Sequence, residues 1–126
     1  MRASSAPMID LYGIPNCDTV KRARAWLDAH DIPHRFHDFK REGVTDSALE
    51  RWIQVLGWEA LVNRRGTTWR QLDAAERERV VDAPGAKAVL QAHTSLVKRP
   101  VVEWTPSTVT VGFDADAWAS HHEKSR

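Results

Sequence analysis

The sequence predicts a single α/β domain, with a four-stranded mixed sheet and a helical insertion between its two halves. Three observations predict this class. Two strand-like runs flank an amphipathic helix near the N-terminus, short helical patterns fill the middle, and two β-branched runs precede a last helix. The length of 126 residues is enough for one domain with a substantial core and too short for two.

The N-terminal third predicts a βαβ unit. Residues 8–12 alternate apolar and polar side chains as a strand does, and residues 34–38 are predicted as a second strand. Pro33 ends the helix between them, because proline disfavours helical geometry in the residue before it. Two strands joined through a helix pair in parallel, with a right-handed crossover. The helix is recognised by apolar residues at three- and four-residue spacing: Val20, Ala23 and Leu27.

The middle of the chain is predicted to be helical. A polar turn at residues 40–43 precedes the clearest helix, which Thr45 is expected to cap. Residues 58–93 are less periodic and are predicted as an insertion of short helices, since no linker composition separates them from the rest. The apolar residues of the capped helix follow the spacing i, i+3, i+4, i+7: Leu49, Trp52, Ile53 and Leu56.

The C-terminal part predicts a hairpin followed by a helix. Residues 101–104 and 108–112 are β-branched runs on either side of a turn, and the helix is expected to start at Asp114 or Asp116. The order βαβ, helices, ββα is that of a thioredoxin-like fold. In that arrangement Pro100 precedes the third strand, where a cis peptide commonly faces the cysteine.

The remaining boundaries follow from composition. Residues 8–120 are predicted to form the domain, residues 1–7 a disordered leader and residues 121–126 a polar tail. The leader has no apolar core of a secretory signal, and no run reaches the about 18 apolar residues of a membrane span. A cytoplasmic protein without a membrane partner is therefore expected.

Charge and cysteine content exclude further classes. The net charge of +1 argues against a direct, general nucleic-acid-binding role. The single cysteine excludes both an intramolecular disulfide and a Cys-x-x-Cys redox pair, so a redox cycle must use a thiol from elsewhere. The histidines have no partners at metal-ligand spacing, so no metal site is predicted.

Cys17 is the candidate reactive group. It lies where the first helix begins, and Asn16 or Asp18 is expected to cap that helix. Free amides and the positive end of the helix dipole favour a thiolate there. The alternative interpretation is a small buried apolar cysteine, and both stay open at this point. Three cations follow within two turns: Lys21, Arg22 and Arg24.

Arg99 is the candidate partner of Cys17. It directly precedes Pro100, and packing of the two halves of the predicted sheet would bring it beside the cysteine. A guanidinium there would stabilise a thiolate and bind an oxyanion through two hydrogen bonds. For the other basic groups, a solvated surface charge is the alternative interpretation: Arg64 and Arg65 with Arg70, and Lys98.

Five segments together resemble one known family. They are YGIPNCDTVKRAR at residues 12–24, FHDF at 36–39, NRRGTTWR at 63–70, LVKRPVV at 96–102 and VGF at 111–113. This combination resembles the arsenate reductase (ArsC)/Spx family, most closely its ArsC-like YffB branch, over about residues 8–120.

The resemblance implies a thioredoxin-like fold with an inserted helical region, and it implies which residues react and bind the substrate. It implies that Cys17 is the nucleophile and that Arg99 is the anion-binding arginine before a cis-proline. Glutathione is the implied cosubstrate, with glutaredoxin as a possible partner and no tightly bound cofactor. Five further residues are expected to shape the anion-binding site: Asn16, Arg64, Arg65, Lys98 and Pro100.

Departures from the family pattern qualify the expected substrate. In an ungapped alignment, Asn63 stands at the position of a second catalytic arginine of the reductases. Gly112 or Phe113 stands at the position of their third arginine. A site short of one or two charges argues against arsenate, so a glutathione-dependent thiol oxidoreductase acting on an oxidised thiol or small oxyanion is expected. The alternative is a Spx-like regulator or scaffold that binds RNA polymerase; the single cysteine argues against redox sensing in that role.

Overall fold

Four strands form one mixed sheet in the computed structural model, which describes residues 9–105 and 107–124. The order is β2-β1-β3-β4; β1 pairs in parallel with β2 and antiparallel with β3, and β3 pairs antiparallel with β4. The predicted four-stranded mixed sheet is therefore confirmed. The strands are β1 (Ile9–Gly13), β2 (His34–Asp38), β3 (Val101–Thr105) and β4 (Thr108–Val111).

The helices divide between two compact units. The sheet unit consists of two chain segments, one up to Asp38 and one from Arg99 onward, and the helical unit is the segment between them, Phe39–Lys98. In chain order the helices are α1 (Asp18–Ala29), α2 (Phe39–Glu42), α3 (Asp46–Leu56), α4 (Trp58–Leu61), α5 (Thr67–Gln71), α6 (Ala74–Arg79), α7 (Ala83–Ala92) and α8 (Ala115–Lys124), with a 3₁₀ turn at Thr94–Leu96.

The core of the sheet unit lies where α1 and α8 pack against the strands. Apolar residues of α1 recur on one face, and Trp118 of α8 joins them in the same cluster. Gly13 at the end of β1 permits close packing, because a Cβ atom there would lie 2.7 Å from the Val20 Cγ2 atom. The buried members of this cluster are Ile9, Leu11, Val20, Ala23, Leu27, Ile32, Val102, Trp104 and Trp118.

The helical unit confirms the predicted cap of α3. The Thr45 hydroxyl accepts a hydrogen bond from the Ala48 N–H at 3.1 Å, and Gly57 ends the helix with a positive φ of 85°. Leu49 and Trp52 are fully buried on its inner face. Local capping chemistry and helical periodicity therefore located this element correctly.

Several boundaries differ from the sequence expectations. The expected polar turn at residues 40–43 is largely the short helix α2, because Phe39 is buried and the chain turns around it. The helical unit is wider than residues 58–93, and α8 continues to Lys124, into the segment expected to fray. Met8 and the expected leader lie outside the described residues.

No helix in the described ranges 9–105 and 107–124 is long and apolar enough to cross a membrane.

Candidate functional site

Cys17 is itself the N-cap of α1. Its backbone is extended, with φ −102° and ψ 123°, and its carbonyl accepts the Lys21 N–H at 2.9 Å. The expectation that Asn16 or Asp18 caps the helix is wrong, because the turn after β1 places the cysteine at the last non-helical position. The thiol therefore occupies the place where a capping oxygen usually lies, beside the first amides of the helix.

The environment of Cys17 is partly apolar and partly solvent. The residue is half-buried and packs against the core cluster of the sheet unit, as Phe113 also does. Its side chain makes no capping hydrogen bond within the described part of the chain. The sulfur of Cys17 is therefore within reach of solvent and of the first amides of α1.

Arg99 and Pro100 lie at the end of the sheet from which the Cys17 turn leaves. Strand β3 runs antiparallel to β1, and Val101 at its start pairs with Tyr12 near the end of β1. The two residues before Val101 are therefore at that same end. The Arg99–Pro100 peptide is cis, as predicted. Arg99 is half-buried, and its Nε atom is withdrawn from solvent.

Gly112 and Phe113 complete this end of the sheet. The Gly112 N–H donates a hydrogen bond to the Pro100 carbonyl at 2.9 Å. Gly112 has a φ of 81°, which residues with a side chain rarely adopt, so this backbone disfavours an arginine at position 112. Phe113 is apolar, so neither position supplies a cation beside Pro100.

A polar cluster on the sheet was not foreseen from the sequence. Asp10 on β1 accepts two hydrogen bonds from Arg35, at 2.9 and 3.1 Å, and lies 2.9 Å from the Nε2 atom of His37. Tyr12 stacks on His37 with ring centroids 4.4 Å apart, and its hydroxyl donates to Glu103 at 3.3 Å. These residues alternate with core residues along adjacent strands, so only the strand register reveals their proximity.

The charge state of Asp10 follows from this cluster. Burial raises the pKa of its carboxyl, but hydrogen bonds from Arg35 and His37, together with their charges, outweigh burial and hold that pKa below its usual value. Asp10 is therefore a carboxylate throughout the neutral range. No group of three or more His, Cys, Asp or Glu residues at metal-binding distance occurs in residues 9–105 and 107–124.

Asn16 lies in the sheet unit, in the turn before Cys17, whereas the predicted anion-binding residues Arg64, Arg65 and Lys98 lie in the helical unit. Val62 forms an antiparallel bridge with Val97, and the Lys98 N–H donates to the Leu61 carbonyl at 2.8 Å. This bridge brings Lys98 beside the segment that carries Arg64 and Arg65. All three side chains are exposed. Their participation in one site with Cys17 stays a prediction.

The family assignment follows from comparison with known proteins. The sequence model of the ArsC family matches residues 12–121, which is most of the chain. The protein belongs to the ArsC family. The predicted family resemblance is therefore confirmed, and the thioredoxin-like fold agrees with that of the solved ArsC-family structures that the chain resembles.

Solved structures and a curated relative of this ArsC-family chain show how far the likeness extends. It is 42% identical to a YffB protein, with a TM-score of 0.86, covering 90% of this chain and 98% of the other. An arsenate reductase (ArsC) related protein from Brucella melitensis is 40% identical, with a TM-score of 0.73, covering 96% and 99%. The global transcriptional regulator Spx of Staphylococcus haemolyticus is 23% identical over 111 residues, which are 86% of this chain and 82% of that protein.

Proposed function

We propose that this protein is an arsenate-reductase-like thiol oxidoreductase, with Cys17 as its single nucleophile and glutathione as the external thiol. The observation that carries the proposal is the position of Cys17. It is the half-exposed N-cap of a 12-residue helix, at the sheet end that also carries Arg99 and Pro100. A helix N-terminus and a nearby guanidinium are surroundings in which nucleophilic cysteines occur.

The reaction needs two thiol exchanges. In the first, the Cys17 thiolate attacks the glutathione sulfur of a mixed disulfide. A bond between Cys17 and glutathione forms, the substrate S–S bond breaks, and the released substrate thiolate takes a proton from water. In the second, a glutathione thiolate attacks the Cys17 adduct, which releases oxidised glutathione and regenerates the Cys17 thiolate. The substrate thiol gains the electrons that glutathione loses.

The composition of the chain requires this scheme to use an outside thiol. Cys17 is the only cysteine of the sequence, so no second thiol of the chain can resolve the adduct. Glutathione supplies that thiol in the proposed cycle, and glutaredoxin is a candidate for the same step. In the proposed cycle Arg99 contributes a positive charge to the site of the reacting sulfur, and Asn16 in the turn before Cys17 and Pro100 at the same end of the sheet shape that site.

An oxidised thiol is preferred to arsenate as the substrate. An arsenate dianion needs several cations around it, whereas a disulfide is uncharged at its reacting atoms. Gly112 and Phe113 supply no charge beside Pro100, and Asn63 stands where the resemblance places another arginine. At position 112 the positive φ of the backbone itself disfavours an arginine, so the missing charge there follows from the backbone conformation.

Comparing two substrates tests the proposal. Purified protein is incubated with reduced glutathione and either the mixed disulfide of glutathione and 2-mercaptoethanol or arsenate, and formation of oxidised glutathione is followed through glutathione reductase. We expect turnover above the uncatalysed rate with the disulfide and none with arsenate. Turnover with arsenate alone would overturn the substrate assignment. Turnover with neither would overturn the oxidoreductase assignment.

A second candidate is a Spx-like regulator that binds RNA polymerase. It is favoured by the alignment of a protein named global transcriptional regulator Spx with 86% of this chain. In that role the fold is a scaffold and Cys17 need not react. A pull-down in which the Cys17→Ser variant captures RNA polymerase as well as the parent does, combined with no turnover in the disulfide assay, would favour this candidate. Both roles are cytoplasmic.

A further inference from the structure

Phe113 lies at the end of the sheet from which the Cys17 turn leaves. Strand β4 ends at Val111, which pairs with Val101 at the start of β3, and Val101 pairs with Tyr12 near the end of β1. The turn that leads to Cys17 leaves from this end of β1. Phe113 and Cys17 therefore follow strands that finish at one end of the sheet, two strand spacings or about 10 Å apart.

Phe113 also lies on the same face of the sheet as Cys17. Both residues pack against the core cluster that forms where α1 and α8 cover the strands. The Phe113 ring makes an edge-to-face contact with Trp118 of α8, at a centroid distance of 4.8 Å. Both residues are half-buried, so each retains some exposure to solvent. An aromatic ring and a thiol thus share one end and one face of the sheet unit.

The backbone is anchored on both sides of Phe113. Before it, the Gly112 N–H donates a hydrogen bond to the Pro100 carbonyl at 2.9 Å. After it, the Asp114 carboxylate accepts two backbone N–H groups from the first turn of α8, at 3.0 and 3.1 Å. The ring is therefore held by its packing and by two anchored neighbours, as a residue that discriminates between substrates must be.

We propose that Phe113 is a specificity-determining residue of the thiol exchange: its ring contacts the organic group of the substrate disulfide and favours an apolar group, above all an aromatic one. Contact between two rings removes apolar surface from water and adds an edge-to-face or offset-stacked attraction. An anionic group gains nothing from the ring and loses hydration beside it. The choice of a disulfide as the substrate rests on the proposed function.

Thiosulfonate reagents test this proposal without glutathione. Cys17, as its thiolate, attacks the sulfenyl sulfur of benzyl or 2-sulfonatoethyl methanethiosulfonate; a disulfide forms, the S–S bond of the reagent breaks and methanesulfinate leaves. Because the leaving group is the same, the ratio of the two rate constants measures the preference for benzyl over the anionic group. We expect Phe113→Ala to lower this ratio about tenfold and Phe113→Arg to lower it further, whereas Phe113→Leu should lower it by no more than about threefold.

Phe36→Ala is the matched control. Phe36 is half-buried against the same core cluster, but it pairs with Leu11, two residues before the end of β1. The Arg24 guanidinium covers its ring, with Cζ 4.3 Å from the centroid. Loosening of the core would affect both alanine variants, so the ratio should fall only when Phe113 is replaced.

Three results would overturn the proposal: an unchanged ratio in Phe113→Ala, an equal change in Phe36→Ala, or no reaction of the folded parent protein with the benzyl reagent. Circular dichroism checks that each variant is folded. If Phe113→Ala does not fold, the comparison of Phe113→Arg with Phe113→Leu decides, and equal ratios in these two would overturn the proposal.

The disulfide assay separates failure of this inference from failure of the proposed reaction. Turnover of the glutathione mixed disulfide, together with a benzyl preference that survives Phe113→Ala, would refute the role of Phe113 alone. Loss of that preference in Phe113→Ala, without turnover by the parent protein, would refute the proposed reaction alone.

Discussion

Replacing Cys17 by serine is expected to abolish disulfide turnover while leaving the fold intact. Serine has nearly the same shape, and Cys17 is half-buried at a helix N-cap where a hydroxyl is well tolerated. A serine hydroxyl stays protonated at neutral pH and cannot form the mixed disulfide. Because the chain has no other cysteine, the rate should fall roughly a thousandfold or more, to the uncatalysed rate.

The same assay with the glutathione mixed disulfide measures this loss. Thr19→Ser, two residues after the cap, is the matched control because it makes a similarly small change in the first turn of α1. The control should retain the parent rate, and circular dichroism should show both variants folded. Retention of a substantial part of the turnover by Cys17→Ser would contradict the assignment of the nucleophile.

Replacing Trp118 by alanine is expected to cause the largest loss of stability in the sheet unit. Trp118 is 1% exposed and makes edge-to-face contacts with Trp26, Trp104 and Phe113, at centroid distances of 5.6, 5.1 and 4.8 Å. Truncation removes the central ring of this aromatic cluster and leaves a cavity. The free energy of unfolding should fall by about 3–5 kcal/mol.

Urea unfolding of the parent protein and of Trp118→Ala measures this loss of unfolding free energy. Trp26→Ala is the matched control, because Trp26 is only half-buried at the margin of the same cluster. Its loss should be clearly smaller than that of Trp118→Ala. A loss below about 1 kcal/mol for Trp118→Ala, the size of an ordinary surface change, would contradict the placement of α8 against the sheet.

Local patterns were sufficient to predict much of the fold. Alternation identified β1 and β2, helical spacing identified α1 and α3, and the Thr45 cap was found at the correct residue. The cis peptide at Pro100 followed from recognising the order of the elements. Each of these features depends on residues close together in the chain or on a known arrangement of elements.

Features that depend on tertiary contacts could not be predicted. The sequence offered Asn16 and Asp18 as caps because their oxygens suit the position, but the length of the turn after β1 places Cys17 there. The Asp10–Arg35 pair depends on the register of two strands. The position of Arg64 over the rings of Trp58 and Trp69 depends on how segments apart in the chain pack together.

The rate of Cys17 alkylation tests the central claim most directly. Iodoacetamide is added to the folded protein and to the protein in concentrated urea at the same neutral pH, and the single cysteine ensures that one thiol is followed in both. If the helix N-terminus and Arg99 activate the sulfur as a nucleophile and leave it accessible, the folded protein reacts several-fold faster. A folded protein that reacts no faster than the unfolded chain would contradict the claim.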